Sequence, residues 1–349
     1  MYLHLKKKES RSLPANKRKG VCIMKAIQFT EYGGPEVLKM VELDRPKPGS
    51  HEVLIEIHVV GVNYADTARR EGQYVVPTKL PFVPGAEVAG IVVETGSEVT
   101  NVNIGARVVT LIESGGYAEY AVADARSVIL LKGELDLKEA VSLPLQGLSA
   151  YHILKTMGQL QEDETVLVHA AAGGVGTLAV QLAKLMGAGK VIATASTEEK
   201  LELARSLGAD VCINYTKEGW YKDVLEATNG RGVNVALEMA GGNVFKDTLK
   251  CLATFGRLVI YGVASGEQAV MHPSSLMARN QSVIGFFLPQ IMKKPELLLP
   301  SMRDLFSFLE EGKLKLIIGE VHPIEEAAKV HELLQSRKTI GKVLLQVRR

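Results

Sequence analysis

The stretch VLVHAAAGGVGTLAVQLAKLMGAGKVIATASTEEK, Val166 to Lys200, decides the fold. It reads as an apolar strand, a glycine turn, a long apolar helix, a second strand and a small polar cluster. Within the turn, Ala171-Ala172-Gly173-Gly174-Val175-Gly176 fits a dinucleotide-binding fingerprint with alanine in place of the first glycine. A small residue lets the strand turn sharply, Gly173 lets the backbone approach a pyrophosphate, and Gly176 lets the helix pack closely on the strand. The helix that opens here aims its free N–H groups and its dipole at phosphates. Glycine turns also serve plain strand–helix connections. What makes this one specific is its place between a strand and a helix in a repeating pattern.

Outward from the turn, strand candidates at 165–169, 190–194, 211–214, 233–238, 257–262 and 282–287 alternate with helical segments. Two helices end alike, Leu185-Met186-Gly187-Ala188 and Ser206-Leu207-Gly208-Ala209, where glycine supplies a left-handed C-cap. Alternation of this kind predicts a doubly wound parallel sheet covered on both faces.

The end of the second strand selects the cofactor. An NAD site carries Asp or Glu about 20 residues past the turn, on the ribose 2′-hydroxyl. Here that place holds Ser196, so the 2′-phosphate of NADPH meets no like charge. Lys200 can pair with that phosphate and Tyr215 can add a hydroxyl, while Glu198 and Glu199 argue the other way.

From Met24 to Leu131 the style differs: KAIQFT, EVLIEIHVVGV, EVAGIVVETG, ARVVTLI and YAEYAVA are short β-type runs between turn signals, which suggests an antiparallel barrel or bent sheets. After Pro289 a helix interrupted at Pro300, a second helix at 324–338 and a β-type run at 341–347 return the chain to this first unit. The expected organisation is a basic extension over 1–23, a mainly antiparallel catalytic domain from 24–148 and 288–349, and a dinucleotide-binding domain from 149–287.

Composition, with 46% apolar and 23% charged residues, is that of an ordinary globular protein. No apolar run reaches the roughly 18 residues of a membrane span. The net charge of +2 is misleading. Residues 1–23 hold seven basic residues against Glu9, and removing them from the totals of 41 and 39 leaves 34 against 38, a net of −4. The body gives no reason to expect nucleic-acid binding. The arm reads as a disordered extension, and Met24 as the natural start of the first strand. Cys22, Cys212 and Cys251 form neither a disulfide framework nor a zinc site, which points to a reducing compartment, the cytoplasm.

The motifs MKAIQFTEYGGPEVL, GVNYADTARREG, PGAEVAGIV, PLQGLSAYHIL, AAAGGVG, GRLVIYG and LQSRKTIGK together resemble the medium-chain dehydrogenase/reductase superfamily. Within it the chain resembles the zinc-free quinone oxidoreductases, the zeta-crystallin-like branch. The resemblance implies a GroES-like catalytic domain joined to a Rossmann domain. It also implies that Asn63 and Ala86 stand where zinc-dependent relatives carry Cys and His, residues that neither can replace at a tetrahedral zinc. The eight histidines show no ligand spacing, so no metal is expected.

Without a Lewis acid, the acceptor must take hydride or electrons readily, as quinones and α,β-unsaturated carbonyls do. The resemblance places Asn63 near the nicotinamide ribose, with Tyr64 beside it as pocket wall or oxyanion donor. A tyrosine that some relatives carry five residues after the asparagine is Ala68 here, so Tyr64 does not inherit that role. Ser149 could reach the nicotinamide side. Phe286 and Phe287 either contact the cofactor or pack at a subunit edge. Arg337 matches a family position near the adenosine end. The last Rossmann strand, SVIGFF, implies a homodimer. The expected activity is NADPH-dependent quinone reduction. The alternatives are an enone or enoyl reductase and a cofactor-binding structural or RNA-binding protein.

Overall fold

A computed structural model describes residues 22–131, 133 and 135–348. Most of the expected basic extension, residues 1–21, lies outside the described residues.

Six parallel strands form one sheet, in the order Val211–Asn214, Lys190–Ala195, Thr165–Val168, Val233–Glu238, Leu252–Ile260 and Ser282–Gly285. This is the doubly wound order, in which the direction of strand addition reverses beside Thr165–Val168, and a ligand crevice opens at such a switch point. The helices between the strands end as their glycines predict. Gly187 and Gly208 take left-handed φ of 91° and 109°, and Ala188 N–H returns to the Ala183 carbonyl at 2.9 Å.

The second unit is mainly antiparallel. Its sheet runs Ile318–Pro323, Lys342–Gln346, Glu52–Gly61, Glu87–Thr95, Arg107–Leu111, Ile129–Leu130, with Tyr120–Asp124 also on Glu52–Gly61. Ile23–Gln28 pairs with Lys39–Asp44 beside it. The late strand therefore does return to the first unit, between Ile318–Pro323 and Glu52–Gly61.

Three placements differ from the sequence expectation. The boundary at 148/149 falls inside the helix Pro144–His152, which is almost wholly buried. Residues 288–314 do not pack with the antiparallel unit: Leu288, Ile291, Leu305 and Leu314 share one core with Leu148, Val166, Val180 and Val259 of the parallel-sheet unit. The chain changes unit at about Ile318 instead. Pro300 does not interrupt its helix, which runs Pro295–Glu310. The hydrogen bond that proline forfeits is to the carbonyl four residues back, in the first turn, and packing against Pro144–His152 outweighs that loss.

Candidate active site

The glycine turn meets its physical requirements one by one. A Cβ on Gly176 would lie 2.2 Å from the Ala170 carbonyl oxygen, so glycine alone permits this closeness of helix and strand. A Cβ on Gly173 would meet only that same oxygen, at 3.2 Å, and otherwise open space, which leaves a cradle for a ligand. Gly173 caps the helix Gly174–Leu185 with no side chain on its free N–H groups. Above the turn lies Gln146, whose amide would be 2.1–2.3 Å from a Cβ on Gly174. Its Oε1 is buried with no hydrogen-bond partner among the described residues. An orphaned buried oxygen over an open cradle costs free energy until a donor arrives, and a dinucleotide supplies several.

Beyond the turn, a cavity of about 370 Å³ gathers Ser196, Lys200, Tyr215 and Arg337, joined by Thr197, Glu199, Ser336 and Lys338. The sequence reading had named the first four from separate segments. Thr197 caps the helix Glu198–Ser206, which presents Lys200 one turn in. The Lys200 ammonium donates to the Arg337 carbonyl at 2.6 Å. Burial holds its pKa below the usual lysine value, with Glu199 pulling the other way. Three cations against one acid make this end of the crevice electropositive.

Where the two units meet, the helix Tyr64–Arg70 presents Asn63 and Tyr64. Asp66, buried, accepts the backbone N–H of Asn63 at 2.9 Å and of Gly85 at 3.2 Å. Burial raises its pKa to about 6 against those two hydrogen bonds. Behind it, Tyr117 O–H lies 3.5 Å from Asp66 and 3.1 Å from His331 Nε2, and Arg70 faces His331 Nδ1 at 3.4 Å. Arg70 can only donate, so Nδ1 accepts and Nε2 carries the proton.

Asn63 itself is enclosed by charge. Lys342 Nζ, 1% exposed, donates to Asn63 Oδ1 at 2.8 Å and to Glu87 Oε2 at 2.5 Å. Asn63 Nδ2 reaches the Gly61 carbonyl at 3.1 Å and Glu87 at 3.3 Å. The sequence reading missed Glu87 and Lys342, although each heads an apolar strand within a motif it quoted.

The hydroxyls of two expected site residues are already committed. Tyr64 O–H donates to the Ala264 carbonyl at 2.8 Å, across the units, and Ser149 O–H to the Leu145 carbonyl at 2.7 Å. The oxyanion-donor role considered for Tyr64 therefore has no free proton in this arrangement. Phe286 and Phe287 follow the edge strand Ser282–Gly285 rather than extend it. Phe286 packs on the parallel-sheet core, and the Phe287 ring stands 5.9 Å from Tyr74, another residue that the sequence reading did not single out.

This combination, a GroES-like unit closed over a Rossmann crevice, defines a medium-chain dehydrogenase/reductase. Residues 174–303 match the zinc-binding dehydrogenase family and residues 49–133 the alcohol dehydrogenase GroES-like domain. The chain is 36% identical to the quinone oxidoreductase of Pseudomonas aeruginosa, over 92% of this chain and 99% of that one. It is 34% identical to the human quinone oxidoreductase, over 93% and 98%. The structure of Escherichia coli quinone oxidoreductase complexed with NADPH superposes with a TM-score of 0.88 at 34% identity, covering 93% of this chain and all of the other. The chain belongs to the quinone oxidoreductase family of this superfamily.

Proposed function

We propose that the chain is an NADPH-dependent, zinc-independent reductase of quinones. The observation that carries the cofactor is the electropositive cavity past the second strand, where Ser196 replaces an acid and Lys200, Arg337 and Lys338 converge. Gly173 and the free helix N–H groups would hold the pyrophosphate, and Gln146 and Asn63 would take donors from the rest of the dinucleotide. Bound there, the reduced nicotinamide supplies the hydride. Tyr64, Tyr74 and Phe287 wall the crevice and exclude water, and the closed units fix the geometry of transfer.

Quinones are favoured by the spent donors. Asn63, Tyr64 and Ser149 direct their protons to protein acceptors. An acceptor whose added charge spreads over oxygen, and which can take its proton after leaving the crevice, suits such a site better than one that needs an enzymic acid. Zinc independence is supported by chemistry at Asn63. An ammonium 2.8 Å from its Oδ1 opposes a second cation there, and Ala86 offers only a methyl group. Among the described residues no three His, Cys, Asp or Glu side chains are arranged to hold a metal. These residues do not fit a tetrahedral zinc.

The same reading includes a homodimer through Ser282–Gly285, whose outer edge pairs with no strand among the described residues; sedimentation equilibrium tests it. It also places the protein in the cytoplasm, in keeping with three free cysteines. No helix among the described residues is long and apolar enough to cross a membrane.

The test is the initial rate of NADPH oxidation with an ortho-quinone after dialysis against a chelator, beside the same assay with NADH. Fast turnover with NADPH and little with NADH is expected. No turnover with either would move the search to enones and enoyl thioesters.

A further inference from the structure

The ion pair beside Asn63 does more than join two strands. A carboxamide can sit either way round, and here chemistry fixes it. An ammonium only donates, so it faces Oδ1; a carboxylate only accepts, so it faces Nδ2. The Gly61 carbonyl takes the remaining amide hydrogen. Both N–H groups of Asn63 are thus spent, while Oδ1 accepts from Lys342 and caps the Asp66 end of its helix, so that toward a ligand Asn63 can act only as an acceptor. Room for the pair exists because residue 61 is glycine: a Cβ there would lie 2.5 Å from Glu87 Oε2 and 2.7 Å from Lys342 Cε. The pair is also tied to the cofactor side. Glu87 Oε1 accepts the Leu145 N–H at 2.7 Å, at the start of the helix that carries Gln146. Gly341, next to Lys342, donates its N–H to the Ala172 carbonyl of the glycine turn at 2.8 Å.

We propose that Lys342 and Glu87 are positioning residues that hold Asn63 as a hydrogen-bond acceptor, so that it takes a hydroxyl of the bound dinucleotide and cannot donate to a developing oxyanion. The inference rests on the NADPH reading above and assigns a use to two residues outside the crevice.

The experiment is a double-mutant cycle on NADPH affinity, followed by nicotinamide fluorescence, with steady-state kinetics beside it. Its corners are the wild type, Asn63→Ala, the charge-free pair Lys342→Met/Glu87→Gln, and all three changes together. Removing both charges avoids stranding one of them in the interior. Losing one hydrogen bond, Asn63→Ala should raise the NADPH Kd and KM about tenfold. The kcat at saturating NADPH should stay within about threefold, because no transition-state contact is lost. The pair variant should show a similar loss of affinity, and the triple variant no further loss, because the pair acts through Asn63.

Three results overturn the proposal: a fall in kcat of about 100-fold at unchanged Kd for Asn63→Ala, the signature of an oxyanion donor; multiplied losses in the triple variant; or wild-type affinity in the pair variant. Should the pair variant not fold, Lys342→Leu/Glu87→Gln, which likewise strands neither charge, completes the same cycle. Failure of the wild-type chain to bind NADPH at all would overturn the functional reading as well. It is told apart because it appears before any variant is made.

Discussion

His169 gives the parallel-sheet domain an acid sensitivity that can be read separately from the rest of the molecule. It follows the strand Thr165–Val168 and is buried, with Nδ1 2.8 Å from Thr194 Oγ1 and Nε2 2.8 Å from Thr248 Oγ1. Thr248 spends its own proton on the Val244 carbonyl at 2.7 Å, so it accepts from Nε2–H, and Nδ1 accepts from Thr194. A second ring proton would force Thr194 to turn its hydroxyl round and would set a charge in the interior. Burial accordingly pulls the His169 pKa from 6.5 to about 4. A group whose folded pKa is depressed contributes stability above its unfolded value, and that stability is lost as pH falls through 6.5 toward 4. From pH 7 to pH 5 the unfolded imidazole protonates while the folded one does not, which costs about 2 kcal/mol at about 1.4 per pH unit. His152, in the same domain and also lowered to about 4 chiefly by burial, pushes in the same direction.

The antiparallel domain should respond less. There burial, aided by the Arg70 charge, lowers His331 to about 3 and costs a similar 2 kcal/mol or so over the same window. Asp66 opposes it. Its raised pKa of about 6 means that stability absent at pH 7 returns as the carboxyl protonates, about 1 kcal/mol by pH 5. Trp220 makes the difference measurable. It is the only tryptophan in the sequence, and its ring stands edge-on to His169 at 5.2 Å. Urea titrations followed by tryptophan emission should give a stability about 2 kcal/mol or more lower at pH 5 than at pH 7, and His169→Gln should remove about 2 kcal/mol of that fall. A flat tryptophan-detected stability between these pH values would refute the reasoning, as would an undiminished fall in His169→Gln.

Asp66→Asn removes the opposing group, so the pH 7 to 5 fall of the antiparallel domain, followed by circular dichroism, should grow by about 1 kcal/mol. Lys200→Ala should raise the KM for NADPH about tenfold or more and leave that for NADH nearly unchanged, as steady-state assays with each cofactor would show. Gly174→Ala sets a methyl group against the Gln146 amide. It should lower the melting temperature and cofactor affinity, by about 1–3 kcal/mol in stability; adding Gln146→Ala should restore the melting temperature but not the affinity, because it removes an acceptor for the cofactor. Gly176→Ala should resist such rescue by any side-chain change, because its obstacle is the Ala170 backbone oxygen at 2.2 Å.

The difference between Gly174 and Gly176 also shows what a sequence can and cannot reveal. Gly176, Gly187 and Gly208 answer to backbone a few residues away, so local spacing is enough to find them. Ser196, Lys200 and Tyr215 were legible from the ends of two strands and the helix turn between them, and Arg337 from the family resemblance, although only the fold gathers them round one cavity. Pro300 misleads for the opposite reason: the local rule is correct, and packing against a distant helix outweighs it. Tyr64 shows the limit for chemistry. Its position is legible from the motif, but the state of its hydroxyl depends on a carbonyl 200 positions away.

Glu87 and Lys342 lie 255 positions apart, and the sequence reading placed them only at the head of one apolar run and just inside another. The strand Glu52–Gly61 runs between those two strands in the sheet, with Gly61 opposite Leu344 and Val60 opposite Val88. Any side chain at 61 would fill the space through which the two charges meet. The signal was present as three separate oddities: a lone acid before an apolar run, a lone base before another, and a glycine near the end of a ten-residue strand rich in Val and Ile. Burying either charge alone would cost several kcal/mol, so each oddity required the others. Because the same strands also carry Glu52, Glu56 and Glu94, only the fold shows which acid and which base meet at Asn63.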